Sequence, residues 1–116
     1  MKTIVIDAIN RLIREDGPET INLSYFYTTL RCRTVEPVSI DGVNDIWLDE
    51  EGLFTPSDSF FFYEGAHQPF AGSGIICGSD SEGNSTDTTL TVEEVASKVK
   101  FLTREEAYQM AREANL

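Results

Sequence analysis

Two short acidic turns, each ending in glycine, constrain the fold of this chain more than any other feature. Asp49-Glu50-Glu51-Gly52 follows the apolar residues 46–48, and Asp80-Ser81-Glu82-Gly83 follows the apolar residues 75–77. Glycine supplies the left-handed backbone that a short hairpin loop needs, so both segments predict β-hairpins with exposed carboxylates at their tips. The middle of the chain is therefore expected to form an antiparallel sheet. The side chains expected to be buried in that sheet are Ile46, Leu48, Ile75 and Cys77.

Further strands and turns are predicted around these two hairpins. The segment "TVEPVSI" places Val35 and Pro37 on one face of an extended chain, with Glu36 and Val38 on the other. Proline has no backbone N–H to donate, which favours an edge position for this strand. The segment "DGVND" predicts a turn, and "SKVKF" near the C-terminus alternates in the manner of a strand.

Helices are predicted towards both ends of the chain. Residues 3–15 carry apolar side chains at helical spacing and are followed by Gly17-Pro18, which is a stop signal. Residues 22–32 repeat that spacing, although their aromatic and β-branched content leaves a strand as the alternative. Capping boxes at Thr91 and Thr103, each with a glutamate three residues later, begin two more helices. The apolar positions are Val5, Ile9, Leu12 and Ile13 in the first helix, Leu23, Phe26, Tyr27 and Leu30 in the second, and Ala107, Met110, Ala111 and Ala114 in the last.

Four consecutive aromatic residues, Phe60 to Tyr63, lie between the two acidic turns. Ser57 or Ser59 is expected to cap a short helix that carries them. Because four adjacent side chains cannot all face one way, at least one is expected to pack outside the main core. The segment is interpreted either as a turn of helix pinned between sheet and helices or as an exposed anchor, since interfaces favour aromatic residues.

These elements predict a single α+β domain, residues 1–116, with a small, mostly antiparallel sheet packed by N- and C-terminal helices. A chain of 116 residues has the usual length of one domain and buries about two-thirds of its unfolded surface on folding. A core of that size needs neither a metal nor a disulfide to fold.

Charge is distributed unevenly along the chain. The net charge is −11, and residues 34–97 contain thirteen acidic side chains and no lysine or arginine. Nucleic-acid binding requires basic side chains that displace counterions from phosphates, so direct binding of DNA or RNA is not expected. A field of this sign attracts basic protein surfaces and accelerates their association. The alternative interpretation is that the acidity only keeps the protein soluble.

No motif for catalysis, metal binding or cofactor binding emerges from the sequence, so no cofactor and no metal are expected. His67 is the only histidine, and neither Cys32 nor Cys77 lies at zinc-ligand spacing from it. A nucleophile pair of His67 with one of the cysteines stays open, because such partners need not be adjacent in sequence. The chain shows no signal peptide and no apolar run long enough to span a bilayer. A cytoplasmic protein with free thiols and no membrane association is therefore predicted.

Residues 34–95 resemble a family of uncharacterised proteins from phages and other mobile elements. The resemblance rests on the segments "TVEPVSI", "IWLDEEGLF", "PSDSFFFYEG", "FAGSGIICG", "SDSEG" and "LTVEEV". This chain departs from the family pattern by a serine where asparagine is usual and by its run of phenylalanines. The family carries no assigned activity, so the resemblance implies a mobile-element origin and assigns no functional residue.

The preferred hypothesis is a small, non-catalytic, acidic accessory protein of phage type that binds a host nucleic-acid-handling protein. It would occupy the basic surface of that partner as a DNA mimic and inhibit it. An aromatic-mediated interaction or assembly module, with homo-oligomers included, is the second hypothesis, and a small Cys/His enzyme is the third. The expected contact residues are acidic or aromatic side chains in the middle of the chain. They are Asp45, Trp47, Asp49, Glu50, Glu51, Asp58, Phe62, Tyr63, Glu64, Asp80 and Glu82.

Overall fold

A computed structural model describes residues 1–54 and 58–114 of the protein. The strands are β1 (Thr3–Asp7), β2 (Leu12–Asp16), β3 (Val35–Ser39), β4 (Asn44–Asp49), β5 (Phe60–Tyr63), β6 (Phe70–Ala71), β7 (Gly74–Ser79), β8 (Ser85–Thr86) and β9 (Val99–Leu102). The helices are α1 (Leu23–Leu30), α2 (Val92–Ala96) and α3 (Arg104–Ala114), and a 3-10 turn spans Gly52–Phe54. No helix within the described ranges has the length and apolar character needed to cross a membrane.

The strands form two sheets. The larger sheet has the order β2-β1-β7-β4-β3, with β8 paired to β7, and the smaller sheet has the order β6-β5-β9. All strand pairs between described residues are antiparallel. The fold is therefore α+β and mostly antiparallel, as the sequence predicts, but its strands are divided between two sheets rather than gathered in one.

The two sheets pack against each other and are flanked by helices. One face of the larger sheet packs against α1 around Phe26, and its other face packs against the smaller sheet around Ile46 and Phe61. The far face of the smaller sheet packs against α3 through Phe60 and Ala107. The layers therefore follow the order α1, larger sheet, smaller sheet, α3, and a helix covers each outer face.

The predicted helix over residues 3–15 is wrong, because these residues form the β1–β2 hairpin. Strand β1 is buried on both faces, since Ile4 and Ile6 face the smaller sheet while Val5 faces α1. A continuous β-branched run of this kind is typical of a strand covered on both sides. The helical spacing is coincidental, because Ile9, one of its four apolar positions, is 71% exposed in the turn between the strands.

The predicted helix over the aromatic run is also wrong. Of its two proposed caps, Ser57 lies outside the described residues and Ser59 directly precedes a strand. The four rings form β5, the central strand of the smaller sheet. Phe61 and Tyr63 pack into the core between the sheets, whereas Phe60 and Phe62 pack with the cluster around α3. The prediction that at least one ring packs outside the main core is thus confirmed, and strand alternation is the reason.

The two acidic turns have different structures. The turn at Asp80 closes the β7–β8 hairpin with Gly83 at a φ of 83°, as predicted. The turn at Asp49 is not a hairpin, because β4 pairs with β3 and β7 and the chain then crosses to the smaller sheet. Gly52 is not left-handed. A Cβ atom there would lie 3.1 Å from the carbonyl oxygen of Ala71, so close approach of the backbone favours glycine.

Several other predicted elements are confirmed. Helix α1 lies within residues 22–32, and β3 is an edge strand that contains Pro37. Thr91 and Glu94 form a capping box at α2, and Thr103 and Glu106 exchange the same two hydrogen bonds at α3. Strand β9 lies between these two helices. The four side chains expected in the sheet core are all at most 4% exposed.

Candidate functional site

Two turns that carry aspartates meet at one end of the larger sheet. The β3–β4 turn and the β7–β8 turn are neighbours there, because the backbone N–H of Ser79 donates to the carbonyl oxygen of Val43 at 2.9 Å. We call the carboxylates of these turns and of the adjoining start of β4 the acidic end. Its residues are Asp41, Asp45, Asp80 and Glu82.

Hydrogen bonds within each turn fix the aspartate that begins it. Oδ1 of Asp41 accepts from the backbone N–H groups of Val43 at 2.8 Å and Asn44 at 2.6 Å. Burial acts to raise the pKa of Asp41, but hydrogen bonds from Asn44 and Val43 outweigh it and the pKa is lowered. At Asp80, hydrogen bonds led by the backbone N–H of Asn84 lower the pKa. Both carboxylates are therefore charged at neutral pH.

Asn44 ties the acidic end to the segment that follows β8. Its side chain is fully buried and donates to Oδ2 of Asp41 and to Oγ1 of Thr89, each at 2.9 Å. Its amide oxygen accepts from the hydroxyl of Thr88 at 2.7 Å. The carboxylate of Asp41 is thus held by a hydrogen-bond network that joins the β3–β4 turn to the segment after β8.

The acidic end carries negative charge that no neighbouring cation neutralises. Among described residues, ion pairs join Lys2 to Glu15, Arg14 to Asp16 and Lys98 to Glu64, and none involves a carboxylate of the acidic end. Asp80 and Glu82 are exposed, and Asp45 is half-buried. A partner that approaches this end therefore meets charges that are uncompensated and accessible.

The acidic triplet Asp49, Glu50 and Glu51 lies at the opposite end of β4. Arg31 and Arg33 line the same cavity as Asp49 and Glu51, with a volume of about 330 Å³. Residues 34–97 contain no lysine or arginine, but Arg31 and Arg33, which follow α1, bring positive charge to the surface around the triplet. A strand of six residues, about 20 Å long, separates the triplet from the acidic end.

The other predicted contact residues are spread over different surfaces. Asp58 accepts a hydrogen bond from the backbone N–H of Arg104 at 3.0 Å, at the start of α3. Trp47 stacks on Phe26 beneath α1, with ring centroids 4.6 Å apart. Phe62 is half-buried near α3. These three side chains have structural roles and do not join the acidic end.

A cavity of about 320 Å³ adjoins the acidic end, and its walls come from the end of β3, the end of β5 and the loop that leads to β6. Tyr63 is 5% exposed and lines this cavity, and Glu64 at its rim pairs with Lys98 at 3.9 Å. Burial raises the pKa of Tyr63, and the carboxylates of Asp41, Glu94 and Glu64 raise it further. The hydroxyl of Tyr63 therefore keeps its proton at neutral pH.

The structure does not bring the histidine and the cysteines together. His67 is exposed and lines the cavity at Tyr63, whereas Cys32 lines the cavity at the acidic triplet and Cys77 is fully buried. Both cysteines are free, and burial raises the pKa of both thiols. A nucleophilic cysteine needs a lowered pKa and a base beside it, so the arrangement does not support a Cys/His enzyme. No cluster of metal-ligating side chains occurs in the part of the chain that the structure describes.

Asp41 is the residue of the acidic end that sequence reasoning missed. The sequence predicts only a turn at "DGVND", but the signal is more specific than that. An aspartate followed three residues later by an asparagine recurs at Asp7 and Asn10, where the carboxylate also accepts from the asparagine backbone and side chain. This spacing, as in Asp41 and Asn44, marks a carboxylate that is fixed by its own turn.

The sequence places the chain in a known family. A domain of unknown function, DUF3846, matches residues 1–100. The chain belongs to this family. The DUF3846 match contains the acidic end and the cavity at Tyr63, and it extends well beyond residues 34–95, over which a family resemblance is expected from the sequence. The family description gives no activity and does not refer to phages or mobile elements. No curated protein and no solved structure matches the chain.

Proposed function

We propose that the protein is a non-catalytic binding protein whose acidic end holds a basic surface of another protein. The observation that carries this proposal is the set of carboxylates at the acidic end, which form no ion pair with any described residue. A surface that served solubility alone would mix both signs, as the surface around the acidic triplet does. Fixed charges of one sign favour encounter with a complementary partner and set its orientation.

The two other hypotheses gain less support from the geometry. The rings of the aromatic run are covered on both faces of β5, so they present little surface as an anchor. His67 and the two thiols lie apart, and both thiols have raised pKa values. A charge-based interaction is therefore the function that the arrangement of side chains supports best.

A finer proposal concerns the class of partner. We infer that it is a nucleic-acid-handling protein, because the basic cleft of such a protein is shaped for a polyanion and a compact acidic surface competes for it. If the domain is phage-borne, the partner belongs to the host and the protein acts as an inhibitor. The net charge of −11 on a chain of 116 residues supports this proposal.

The proposed function is tested by the association rate of a lysine decapeptide with the protein at several ionic strengths. Asp80→Asn combined with Glu82→Gln removes two charges from the acidic end. This variant is expected to slow association by roughly threefold to tenfold at low salt and to flatten its salt dependence. The matched control, Glu50→Gln combined with Glu51→Gln, removes two charges from the acidic triplet, where Glu51 shares a cavity with Arg31 and Arg33. It is expected to have a smaller effect. Equal effects of the two variants would contradict the proposal.

The finer proposal is tested by inhibition of a purified restriction endonuclease with a basic DNA-binding cleft. The protein is expected to inhibit cleavage at low ionic strength, excess duplex DNA is expected to relieve the inhibition, and the protein alone is expected not to shift DNA in a gel. Unchanged cleavage at an ionic strength at which the lysine decapeptide binds would count against a polyanion mimic.

A further inference from the structure

The cavity at Tyr63 joins an apolar wall to an acidic rim. Its volume of about 320 Å³ lies within the range of ligand pockets. No lysine or arginine is among the described residues that line it, whereas Glu64, His67 and Gln68 supply polar groups at the rim. The apolar wall consists of Val38, Ile40 and Phe70.

The hydroxyl of Tyr63 is an unused hydrogen-bonding group in this cavity. The side chain is 5% exposed, and its hydroxyl has no hydrogen-bond partner among the residues that the structure describes. The described side-chain polar atoms that are buried without a partner are Thr34 Oγ1 and Trp47 Nε1, so the hydroxyl of Tyr63 is open to solvent in the cavity. Since Tyr63 lines the cavity, a donor that enters the cavity replaces solvent at this hydroxyl.

Negative charges surround Tyr63, so the electrostatic potential at its hydroxyl favours a cationic donor. The carboxylates of Asp41, Glu94 and Glu64 all act on its hydroxyl. The pair between Glu64 and Lys98 is long at 3.9 Å, and the side chain of Glu64 is 71% exposed, so this carboxylate has free capacity to accept hydrogen bonds. A group that fits must combine positive charge and several donors with an apolar stem.

An arginine side chain has this combination. Its three methylene groups pack on apolar surface while the charged head stays at the rim. Its planar guanidinium presents five donors and stacks on aromatic rings, which a lysine ammonium does less well. Phe70 and Tyr63 supply aromatic rings at this cavity, and Glu64 supplies the carboxylate.

We propose that the cavity at Tyr63 is the anchor pocket for an arginine side chain of the basic partner. This inference rests on the proposed function and names the contact that fixes the partner beside the acidic end. The stem packs against Val38 and Phe70, and the guanidinium donates to the hydroxyl of Tyr63 and to the carboxylate of Glu64. Charge at the acidic end then steers the partner, and the pocket holds it.

The test titrates the protein with N-acetyl-arginine amide and follows backbone amide resonances. Saturable shifts are expected for the backbone amides of Gly65, Ala66 and His67, which line the cavity. N-acetyl-citrulline amide has nearly the same shape without the charge, and it is expected to give no saturable shift at these positions.

Two variants assign the binding to the proposed contacts. Tyr63→Phe removes only the hydroxyl, and Glu64→Gln removes only the charge, so each is expected to weaken binding of the arginine probe by about threefold to tenfold. The matched control Glu105→Gln removes an equal charge from an exposed position on α3 and is expected to leave the affinity unchanged. Glu64 is exposed, which keeps the test valid if Tyr63→Phe disturbs folding.

The failure of this inference is distinguishable from the failure of the proposed function. Equal binding of the citrulline probe, or shifts confined to the acidic end with unchanged cavity resonances, would overturn the arginine pocket. Neither result would alter the dependence of lysine decapeptide association on Asp80 and Glu82, which tests the proposed function by itself.

Discussion

Gly74 lies in the core between the two sheets, where there is little room for a side chain. A Cβ atom at this position would lie 2.9 Å from Cγ2 of Ile46, 3.1 Å from Cζ of Phe61 and 3.3 Å from Cδ2 of Leu48. Phe61 belongs to the smaller sheet, and the two other side chains belong to β4. The absence of a side chain at Gly74 therefore allows the sheets to pack at this distance, without any need for a left-handed backbone.

Gly74→Ala is expected to lower the free energy of unfolding by about 1–3 kcal/mol, because an added methyl group overpacks the core between the sheets. Gly17→Ala is the matched control. Its added Cβ atom would have Met1 O, at 3.5 Å, as its nearest neighbour, and its backbone is not left-handed. Urea denaturation measures both variants. Similar stabilities for the two would show that the inter-sheet space is looser than the structure indicates.

Asp41 should make the stability of the acidic end depend on pH. Its folded-state pKa is lowered from the ordinary value of 3.8, so its stabilising contribution is present above that value and is lost as the pH falls through the folded pKa. Asp41→Asn is expected to cost about 1 kcal/mol at pH 7, since the side chain is largely solvated. The difference in unfolding free energy between wild type and variant should shrink from pH 5 towards pH 3. A difference that stays constant across this interval would exclude the charge of Asp41 as its source.

At the scale of elements, the sequence predicts best those features that depend on neighbouring residues. The capping boxes at Thr91 and Thr103 and the β7–β8 turn are local, and all three are correctly predicted. The failures are segments whose environment is set by distant elements. Residues 3–7 and 60–63 are strands because a partner sheet or helix covers both of their faces, and the apolar spacing along the chain does not reveal which faces are covered.

Helix α1 ends on a residue type that gives no stop signal. Arg31 adopts the left-handed conformation, with φ 54° and ψ 52°, and the next backbone N–H, that of Cys32, donates to the carbonyl oxygen of Tyr27 at 3.1 Å. Glycine is the usual residue at such a position because it has no Cβ to clash. The end of α1 therefore carries backbone strain that is absent from most helix ends.

Arg31→Gly is expected to raise the free energy of unfolding by about 0.5–1 kcal/mol, because relief of the left-handed strain exceeds the added entropy of glycine in the unfolded chain. Arg33→Gly removes the same charge from the same cavity, but Arg33 does not have a positive φ. It is expected to be neutral or destabilising. Thermal unfolding of both variants measures the difference, and a loss of stability in Arg31→Gly would refute the strain argument.

At the scale of the whole molecule, the distribution of charge in space differs from its distribution in sequence. Glycine turns identify Asp80 and Glu82 as exposed, but the sequence does not place the Asp41 turn beside them. That contact depends on the pairing of β4 with β7, which joins residues about thirty positions apart. Likewise, Arg31 and Arg33 reach the acidic triplet only through the packing of α1 on the larger sheet. Strand pairing and helix packing between residues far apart in sequence therefore decide which carboxylates lack a neighbouring cation.

Repulsion between like charges should make the stability of the whole molecule depend on salt. The net charge is −11, and the molecule measures 39 × 26 × 25 Å. The screening length is about 30 Å at 10 mM salt and about 10 Å at 100 mM, so charges repel across the entire molecule only at the lower concentration. At pH 7, a change from about 10 to about 100 mM sodium chloride is expected to raise the melting temperature by roughly 4 °C, which corresponds to about 1 kcal/mol for a domain of this length.

The control for this prediction is the same comparison at the isoelectric point of about 4.3. Positive and negative charges balance there, so long-range repulsion is absent and the stabilisation by salt should disappear. Circular dichroism at both pH values and both salt concentrations measures the effect. An equal rise in melting temperature at both pH values would mean that the ions act by binding or by altering hydration. No rise at pH 7 would mean that nearby basic side chains, such as Arg31 and Arg33 in the cavity at the acidic triplet, offset the repulsion throughout the molecule. The acidic end would then lack the uncompensated charge on which binding of a basic partner depends.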